Sequence, residues 1–188
     1  MLKQLATLQQ EFAGTDAEGL TIRRIRIRMR KLLRIKFAYL QANLPWSVIA
    51  LSASTAKTVG SVQAAANQPL KILEASVSHD GATSTNGPAV VDFARCTFGT
   101  AGTATGTTPL KKDPGRAETI QTTGKTNYSA EPTTITPQWS EEVAQYNGLY
   151  HYITPQGAPI IVVGGAGFAV RETSPNSVNS CGKIEFEE

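Results

Sequence analysis

The chain has 188 residues and a mass of 20.1 kDa, the size of one domain with an appendage. Its net charge of +3 hides an asymmetry: residues 1–44 hold nine Lys/Arg against three Asp/Glu, and residues 45–188 hold nine against twelve. No stretch reaches the ~18 apolar residues of a membrane-spanning helix, and the first 20 residues lack the apolar core of a secretory signal. We therefore expect a protein made in the cytoplasm, with no membrane association, whose basic part binds an anionic partner.

Residues 2–13 predict a short amphipathic helix. Leucines recur every three residues from Leu2 to Leu8, and Phe12 follows four residues later, which is helical spacing. Gly14 comes next, at a position where a left-handed residue commonly ends a helix. An isolated helix of this length is marginal in water, so we expect it to dock on another surface.

Residues 21–40 form a dense basic segment, which we call the arm. Eight of these residues are basic and none is acidic. So many like charges repel one another, and a partner of opposite charge removes that repulsion. The predicted partner-binding residues of the arm are Arg23, Arg24, Ile25, Arg26, Ile27, Arg28, Met29, Arg30, Lys31, Arg34 and Lys36.

The conformation of the arm has two interpretations. Ile25, Ile27 and Met29 alternate with arginines, which is the periodicity of a strand. Apolar residues of the same segment also fall near one face of a helix, and Thr21 is a suitable N-cap. Some twenty residues without Gly or Pro exceed ordinary strand length, so a helix is favoured. Pro45 then marks the boundary between an N-terminal part, 1–44, and a second domain, 45–188.

The chemistry of the arm fits two kinds of partner. Against nucleic acid, its cations would neutralise several phosphates. Against protein, its arginines would form forked hydrogen bonds with carboxylates while its isoleucines are buried. The apolar content exceeds what phosphate neutralisation needs, which favours a protein surface or a subunit interface and leaves nucleic acid possible.

Residues 45–188 predict a mainly β fold, an antiparallel β-sandwich or jelly roll. Short runs rich in β-branched residues alternate with turn residues, and no helical pattern separates them. Leu73, Ala75 and Val77 alternate with polar neighbours, as in a strand with one solvated face. Residues 99–109, rich in Gly and Thr, predict a loop. The predicted strands are 46–53, 70–78, 89–98, 117–122, 149–153, 160–163, 167–173 and 183–187.

Candidate catalytic, cofactor and metal residues do not form a recognisable constellation. The glycine-rich residues 164–167 lie between two predicted strands rather than between a strand and a helix, so they predict a turn. The side chains of adjacent Glu141 and Glu142 diverge on a strand. His79 and His151 have no partner at ligand spacing. We therefore predict a protein that is not an enzyme and needs no cofactor or metal.

The cysteines and a group of aromatic residues indicate packing rather than chemistry. Cys96 and Cys181 lie far apart in the sequence, in or beside predicted strands, which favours two half-buried thiols over a disulfide. Asn147 and Gly148 predict a tight hairpin turn. The aromatic residues around this turn predict cross-strand and core packing, with a carbohydrate or protein contact as the alternative. They are Trp139, Tyr146, Tyr150 and Tyr152.

A series of short motifs runs through the β-domain after a Thr/Ala-rich opening strand. They are Q-P-L-K-I-L-E-A-S-V-S (68–78), G-P-A-V-V-D-F-A-R (87–95), E-P-T-T (131–134), Y-H-Y-I-T-P-Q-G (150–157) and G-G-A-G-F-A-V-R-E-T-S-P (164–175). With a final strand that ends in Glu187 and Glu188, this order resembles the jelly-roll capsid cement (decoration) proteins and other auxiliary virion proteins of tailed bacteriophages. The resemblance covers about three quarters of the chain and excludes the basic N-terminal part.

The resemblance implies a non-enzymatic structural protein of the virion. Such a protein would assemble as a homotrimer on the outside of the phage head and bridge neighbouring copies of the major capsid protein. On this hypothesis the arm grips an acidic capsid surface. The alternatives are a small coat or internal virion protein whose arm binds the genome, or a neck or tail component.

Overall fold

The computed structural model describes residues 39–83, 86–97, 102–155 and 158–188, and within these ranges every regular element is a β-strand. Each strand is numbered in chain order. The strands are β1 Gln41–Leu51, β2 Ala56–Gln63, β3 Leu70–His79, β4 Ala89–Thr97, β5 Thr103–Thr107, β6 Leu110–Lys111, β7 Thr123–Ala130, β8 Thr134–Val143, β9 Leu149–Ile153, β10 Ile160–Val162, β11 Gly167–Thr173 and β12 Val178–Glu187.

The strands form two six-stranded sheets. Sheet A has the order β10-β3-β12-β1-β6, with β9 paired to β3 beside β10. Sheet B has the order β5-β7-β2-β11-β4-β8. Each pairing between neighbouring strands is antiparallel. The predicted antiparallel β-sandwich is therefore confirmed.

The core lies between the two sheets and is built from alternate residues of their central strands. Ile72 and Phe186 of sheet A and Phe93 and Phe168 of sheet B are fully buried there. Each such side chain contributes roughly 1.5–3 kcal/mol by leaving water. Because this alternation recurs in strands far apart in the chain, the hydrophobic pattern fixes which face of each strand points inward.

Strand β3 contains an irregular position that the sequence pattern does not reveal. Leu73 is an extra residue between the pairs Ile72–Phe186 and Glu74–Glu185. The buried row of the strand therefore changes phase at this point, and Ile72 is buried whereas Leu73 is half-buried. The two later members of the predicted row are buried as expected.

Strand β1 begins at Gln41, four residues before the predicted boundary at Pro45. The backbone of Gln41 bonds to Lys112 next to β6, and the backbone of Leu40 bonds to Glu188. Since alternate residues of a strand point to opposite sides, Pro45 faces the side of β6. Strand β6 pairs only with residues 42 and 43, so the missing N–H of the proline leaves no ladder bond unmade.

Two further predictions of local structure are wrong. Residues 103–107 of the predicted loop form β5, which pairs with β7, because alternating threonines suit a strand. The predicted strand 117–122 is irregular. There the amides of Gln121 and Thr122 donate to the carboxylate of Glu188, at 2.7 and 2.8 Å, instead of to a neighbouring strand.

The turn at Asn147 and Gly148 does not close a hairpin. Asn147 has the positive φ of 51° that a tight turn requires. However, β8 belongs to sheet B and β9 to sheet A, so this connection crosses from one sheet to the other. The sequence analysis also missed strands β2, β7 and β8, because each contains no more than three large apolar residues among small and polar ones.

Candidate functional site

The residues predicted to bind a partner lie outside the described residues, together with the predicted helix at 2–13. The described residues do show whether the carboxylates of the β-domain are available to an external cation. The residues concerned are Arg23, Arg24, Ile25, Arg26, Ile27, Arg28, Met29, Arg30, Lys31, Arg34 and Lys36.

Most carboxylates of the described β-domain already hold a cation or a hydrogen-bond donor from that domain. On the outer face of sheet A, Glu74 Oε1 lies 2.5 Å from Lys183 Nζ and 2.8 Å from His151 Nε2. Glu185 pairs with Lys112 and Lys183. These pairs join β9, β3 and β12 to the segment after β6, and little carboxylate charge on this face is left for an external cation.

The same pairing of carboxylates recurs elsewhere in the described residues. Three further pairs are Lys71–Glu187 at 3.0 Å, Arg171–Asp92 at 2.6 Å and Arg116–Glu118 at 2.6 Å. Glu131 accepts the amide of Thr58 at 2.7 Å. Glu142 on β8 is an exposed carboxylate for which the described residues provide no such partner.

Titration of the sheet A cluster follows from these contacts. Burial works to raise the pKa of Glu74, and the hydrogen bonds from Lys183 and His151 outweigh it, so the pKa lies below its ordinary value. The hydrogen bond to Glu74 in turn raises the pKa of Lys183. Because the side chains of Lys183 and His151 are more than a third exposed, each contact with Glu74 adds only a modest stabilisation.

A second polar cluster is sealed between the two sheets. His79 Nε2 lies 2.7 Å from Glu172 Oε2, and both side chains are fully buried. The Ser180 hydroxyl donates to Glu172 Oε1 at 2.6 Å, and the indole N–H of Trp46 donates to Ser180 Oγ at 3.2 Å. The cluster links β1, β3 and β12 of sheet A to β11 of sheet B.

Hydrogen-bond geometry favours the charged form of His79 in this cluster. His79 Nδ1 lies 3.2 Å from the carbonyl oxygen of Ala144, and Nε2 faces the carboxylate of Glu172. Both ring nitrogens therefore face acceptors, which suits an imidazolium that donates twice. Removing one partner of such a buried charge pair strongly destabilises the folded protein, because the other partner is left buried without a counterion.

The buried cluster contains serine, histidine and a carboxylate, but its order does not suit nucleophilic catalysis. Glu172 lies between Ser180 and His79, so the hydroxyl donates to the carboxylate and does not meet the imidazole. Ser180 and Glu172 are both 0% exposed. The arrangement therefore acts as a structural link between the sheets.

Sequence analysis missed this cluster, although one signal for it exists. Phe168, Val170 and Glu172 occupy alternate positions of β11, and the first two face the core. A glutamate in the phase of buried apolar residues must find a partner inside the protein. The partner, His79, lies 93 residues away in the sequence, and no local sequence pattern links it to Glu172.

The aromatic residues near the β8–β9 connection close one side of the sandwich. Trp139 of β8 stacks on Phe93 with centroids 4.8 Å apart and planes at 9°. The ring centroids of Tyr152 and Trp139 lie 4.7 Å apart, and those of Tyr150 and Phe93 lie 5.4 Å apart. The predicted packing role thus holds for three of the four residues, while Tyr146 remains 48% exposed.

Both cysteines are free thiols in strands, as predicted, and the two strands belong to different sheets. Burial raises the pKa of Cys96 to about 12. Cys181 Sγ accepts the amide of Val48 at 3.2 Å, at a bulge where Val48 has a positive φ of 52°. In the described part of the chain, His, Cys, Asp and Glu side chains form no group of three that could hold a metal ion.

A row of exposed aliphatic side chains follows the free edge of sheet A. Leu149, Ile153, Ile161 and Val163 belong to β9, to β10 and to the residue after it. A contiguous exposed apolar patch on a protein surface commonly marks an interaction site.

Comparisons with protein-family models, curated proteins and solved structures gave no match to this chain. The described residues contain no helix that is long and apolar enough to cross a membrane. The function proposed below therefore rests on the chemistry of the arm, on the β-sandwich and on the resemblance of its sequence motifs.

Proposed function

We propose that this protein is a non-enzymatic structural protein of a phage virion that acts as capsid cement. In this proposal it attaches to the outside of the head as a homo-oligomer, a trimer by resemblance, and bridges neighbouring copies of the major capsid protein. The arm supplies the grip, and the β-sandwich is the rigid body that is held in place. No cofactor or metal takes part.

The observation that carries this proposal is the mismatch of charge between the arm and the β-domain. The first 44 residues have a net charge of +6, obtained from nine basic and three acidic residues. The described carboxylates are mostly occupied by lysines, arginines, histidines and amides of the β-domain. This charge distribution supports a proposal in which the counterion of the arm belongs to another molecule.

A capsid surface suits the mixed character of the arm. Its arginines can fork onto carboxylates, and the apolar residues among them add buried area. A helix or strand of about twenty residues would bury on the order of 800 Å² per partner, the size of a stable interface. Several arms in one oligomer would strengthen attachment through multivalency.

Charge reversal of the arm tests this proposal. We expect Arg26→Glu, Arg28→Glu and Arg30→Glu together to weaken attachment to empty capsids by at least tenfold, because like charges replace the attraction. The measurement is co-sedimentation of the full chain with empty capsids. The matched control is the pair Arg95→Glu and Lys125→Glu on the β-domain, which we expect to attach normally.

The strongest alternative is an arm that faces the genome, which its charge alone would also suit. In that case the full chain would be retained on DNA with a steep dependence on salt, and the arm variant would lose that retention. Normal decoration of empty capsids by the arm variant would contradict the cement proposal. Salt-dependent DNA binding without capsid attachment would favour the alternative.

A further inference from the structure

One free edge of the sandwich lacks the features that usually prevent strands from pairing. Natural edge strands carry proline or charged residues that block the approach of another strand. Strand β8, at the edge of sheet B, has Pro137 and the adjacent Glu141 and Glu142. Strand β9, at the edge of sheet A, reads L-Y-H-Y-I and has neither proline nor a carboxylate or lysine.

Among the described residues, β9 pairs only with β3, so its other edge presents unpaired backbone groups. The carbonyl of Gly148 and the amide of Thr154, which flank the strand, both bond to β3 or its end. Since successive residues of a strand point to opposite sides, the even-numbered residues face β3. Leu149, His151 and Ile153 therefore direct their backbone N–H and C=O groups away from the sheet.

The same three residues carry their side chains on the outer face. Leu149 is 71% exposed and Ile153 is 64% exposed, with half-exposed His151 between them. Ile161 and Val163 continue the exposed row along the same edge of β3. Within the described part of the chain, an exposed apolar row and an unpaired backbone edge thus coincide.

We propose that two copies of this chain join edge to edge through β9, in an antiparallel pairing centred on His151. Leu149 and Ile153 flank His151 at equal spacing. A two-fold axis at His151 therefore places Leu149 opposite the partner's Ile153, and the converse, so the pattern is self-complementary. The residues that face the free edge then form hydrogen-bonded pairs, and sheet A continues into the partner.

The charges beside β9 permit two identical edges to meet. The carboxylate of Glu74 pairs with Lys183 at 2.5 Å and contacts His151 at 2.8 Å, so the charges of Glu74 and Lys183 balance within each copy. Identical faces with a large net charge would repel each other. The balance here removes that obstacle, and the row of aliphatic side chains supplies the attraction.

This contact goes beyond the proposed attachment to a capsid, because it concerns copies of the chain and not the arm. It also differs from the trimer that the resemblance implies, since an isologous contact joins copies in pairs. A trimer or higher assembly would then need a second surface.

The test is the mass of the purified full chain in solution, by analytical ultracentrifugation over a range of concentrations. We expect the unchanged protein to approach twice 20.1 kDa. Ile153→Lys places a charge in the apolar row, and His151→Pro removes an amide that faces the free edge but not β3. We expect both variants to raise the dissociation constant at least tenfold, with unchanged circular dichroism.

Leu110→Lys is the matched control, because Leu110 is 55% exposed on β6 at the opposite edge of sheet A. We expect this variant to pair like the unchanged protein, and the arm variant to do so as well. A monomeric unchanged protein, a trimer insensitive to His151→Pro, or equal dissociation by Leu110→Lys would overturn the proposal. Pairing of copies without attachment to capsids would contradict the cement proposal and leave the pairing proposal intact.

Discussion

Replacing Glu172 by alanine is expected to lower the free energy of unfolding by about 3–5 kcal/mol. The substitution leaves the imidazolium of His79 without its counterion and the hydroxyl of Ser180 without its acceptor, both inside the sandwich. Neither group can turn to water, because their side chains are buried. Urea unfolding, followed by tryptophan fluorescence, measures the change.

Glu142→Ala is the control for this experiment, since Glu142 is an exposed carboxylate on β8. Surface substitutions of this kind change stability by about 0.5 kcal/mol or less. Equal effects of Glu172→Ala and Glu142→Ala would contradict the structural role of the buried cluster.

The dependence of stability on pH gives a second readout of the same cluster. Burial works to lower the pKa of His79, and the hydrogen bond and charge of Glu172 outweigh burial, so the pKa is raised above its ordinary 6.5. The stabilisation by this pair is therefore complete below about pH 6.5 and is lost as pH rises through the higher folded-state pKa. His79→Gln should remove this loss. Stability that increases over the same window because of His79 would refute the assignment.

Phe93→Ala is expected to cost about 3–5 kcal/mol, the second of the two largest effects. Phe93 is fully buried on β4, stacks on Trp139 of the same sheet and contacts Tyr150 of the opposite sheet. Its removal opens a cavity where the sandwich is closed by aromatic rings. The measurement is again urea unfolding, with near-ultraviolet circular dichroism to follow Trp139.

Val90→Ala is the matched control on the same strand, because Val90 is 38% exposed and faces outward. We expect a loss of less than about 1 kcal/mol for this variant. A near-ultraviolet spectrum of Phe93→Ala identical to that of the unchanged protein, with unchanged stability, would show that the ring cluster does not hold the sheets together.

Strands with strong local pattern were predictable from the sequence. The bounds of β9 and β11 agree with the predicted segments 149–153 and 167–173. In both strands, β-branched and aromatic residues lie between clear turn residues. The antiparallel sandwich followed from the number and spacing of such segments, because no helical pattern separated them.

Features that depend on distant partners were not predictable. Pro45 is an accepted strand residue only because β6 ends before reaching it. Leu73 leaves the buried row because of a bulge opposite β12. Two other features depend on tertiary contacts that local propensity does not encode. They are the pairing of threonine-rich β5 with β7 and the connection through Asn147 that joins sheet B to sheet A.

The candidate sites divide in the same way. The basic arm was evident from composition, because charge needs no fold to be counted. The occupancy of carboxylates such as Glu74 and Glu185, and the meeting of His79 with Glu172, required the register of strands. The exposed edge of β9 could not be inferred from L-Y-H-Y-I alone, since the same five residues would suit a central strand.

Imaging of intact virions that contain this protein tests the central claim most directly. The cement proposal predicts density for the β-sandwich on the outer surface of the head, between neighbouring capsid subunits, with the arm against capsid protein. Density on the inner surface against the genome, or confined to the neck or tail, would contradict it.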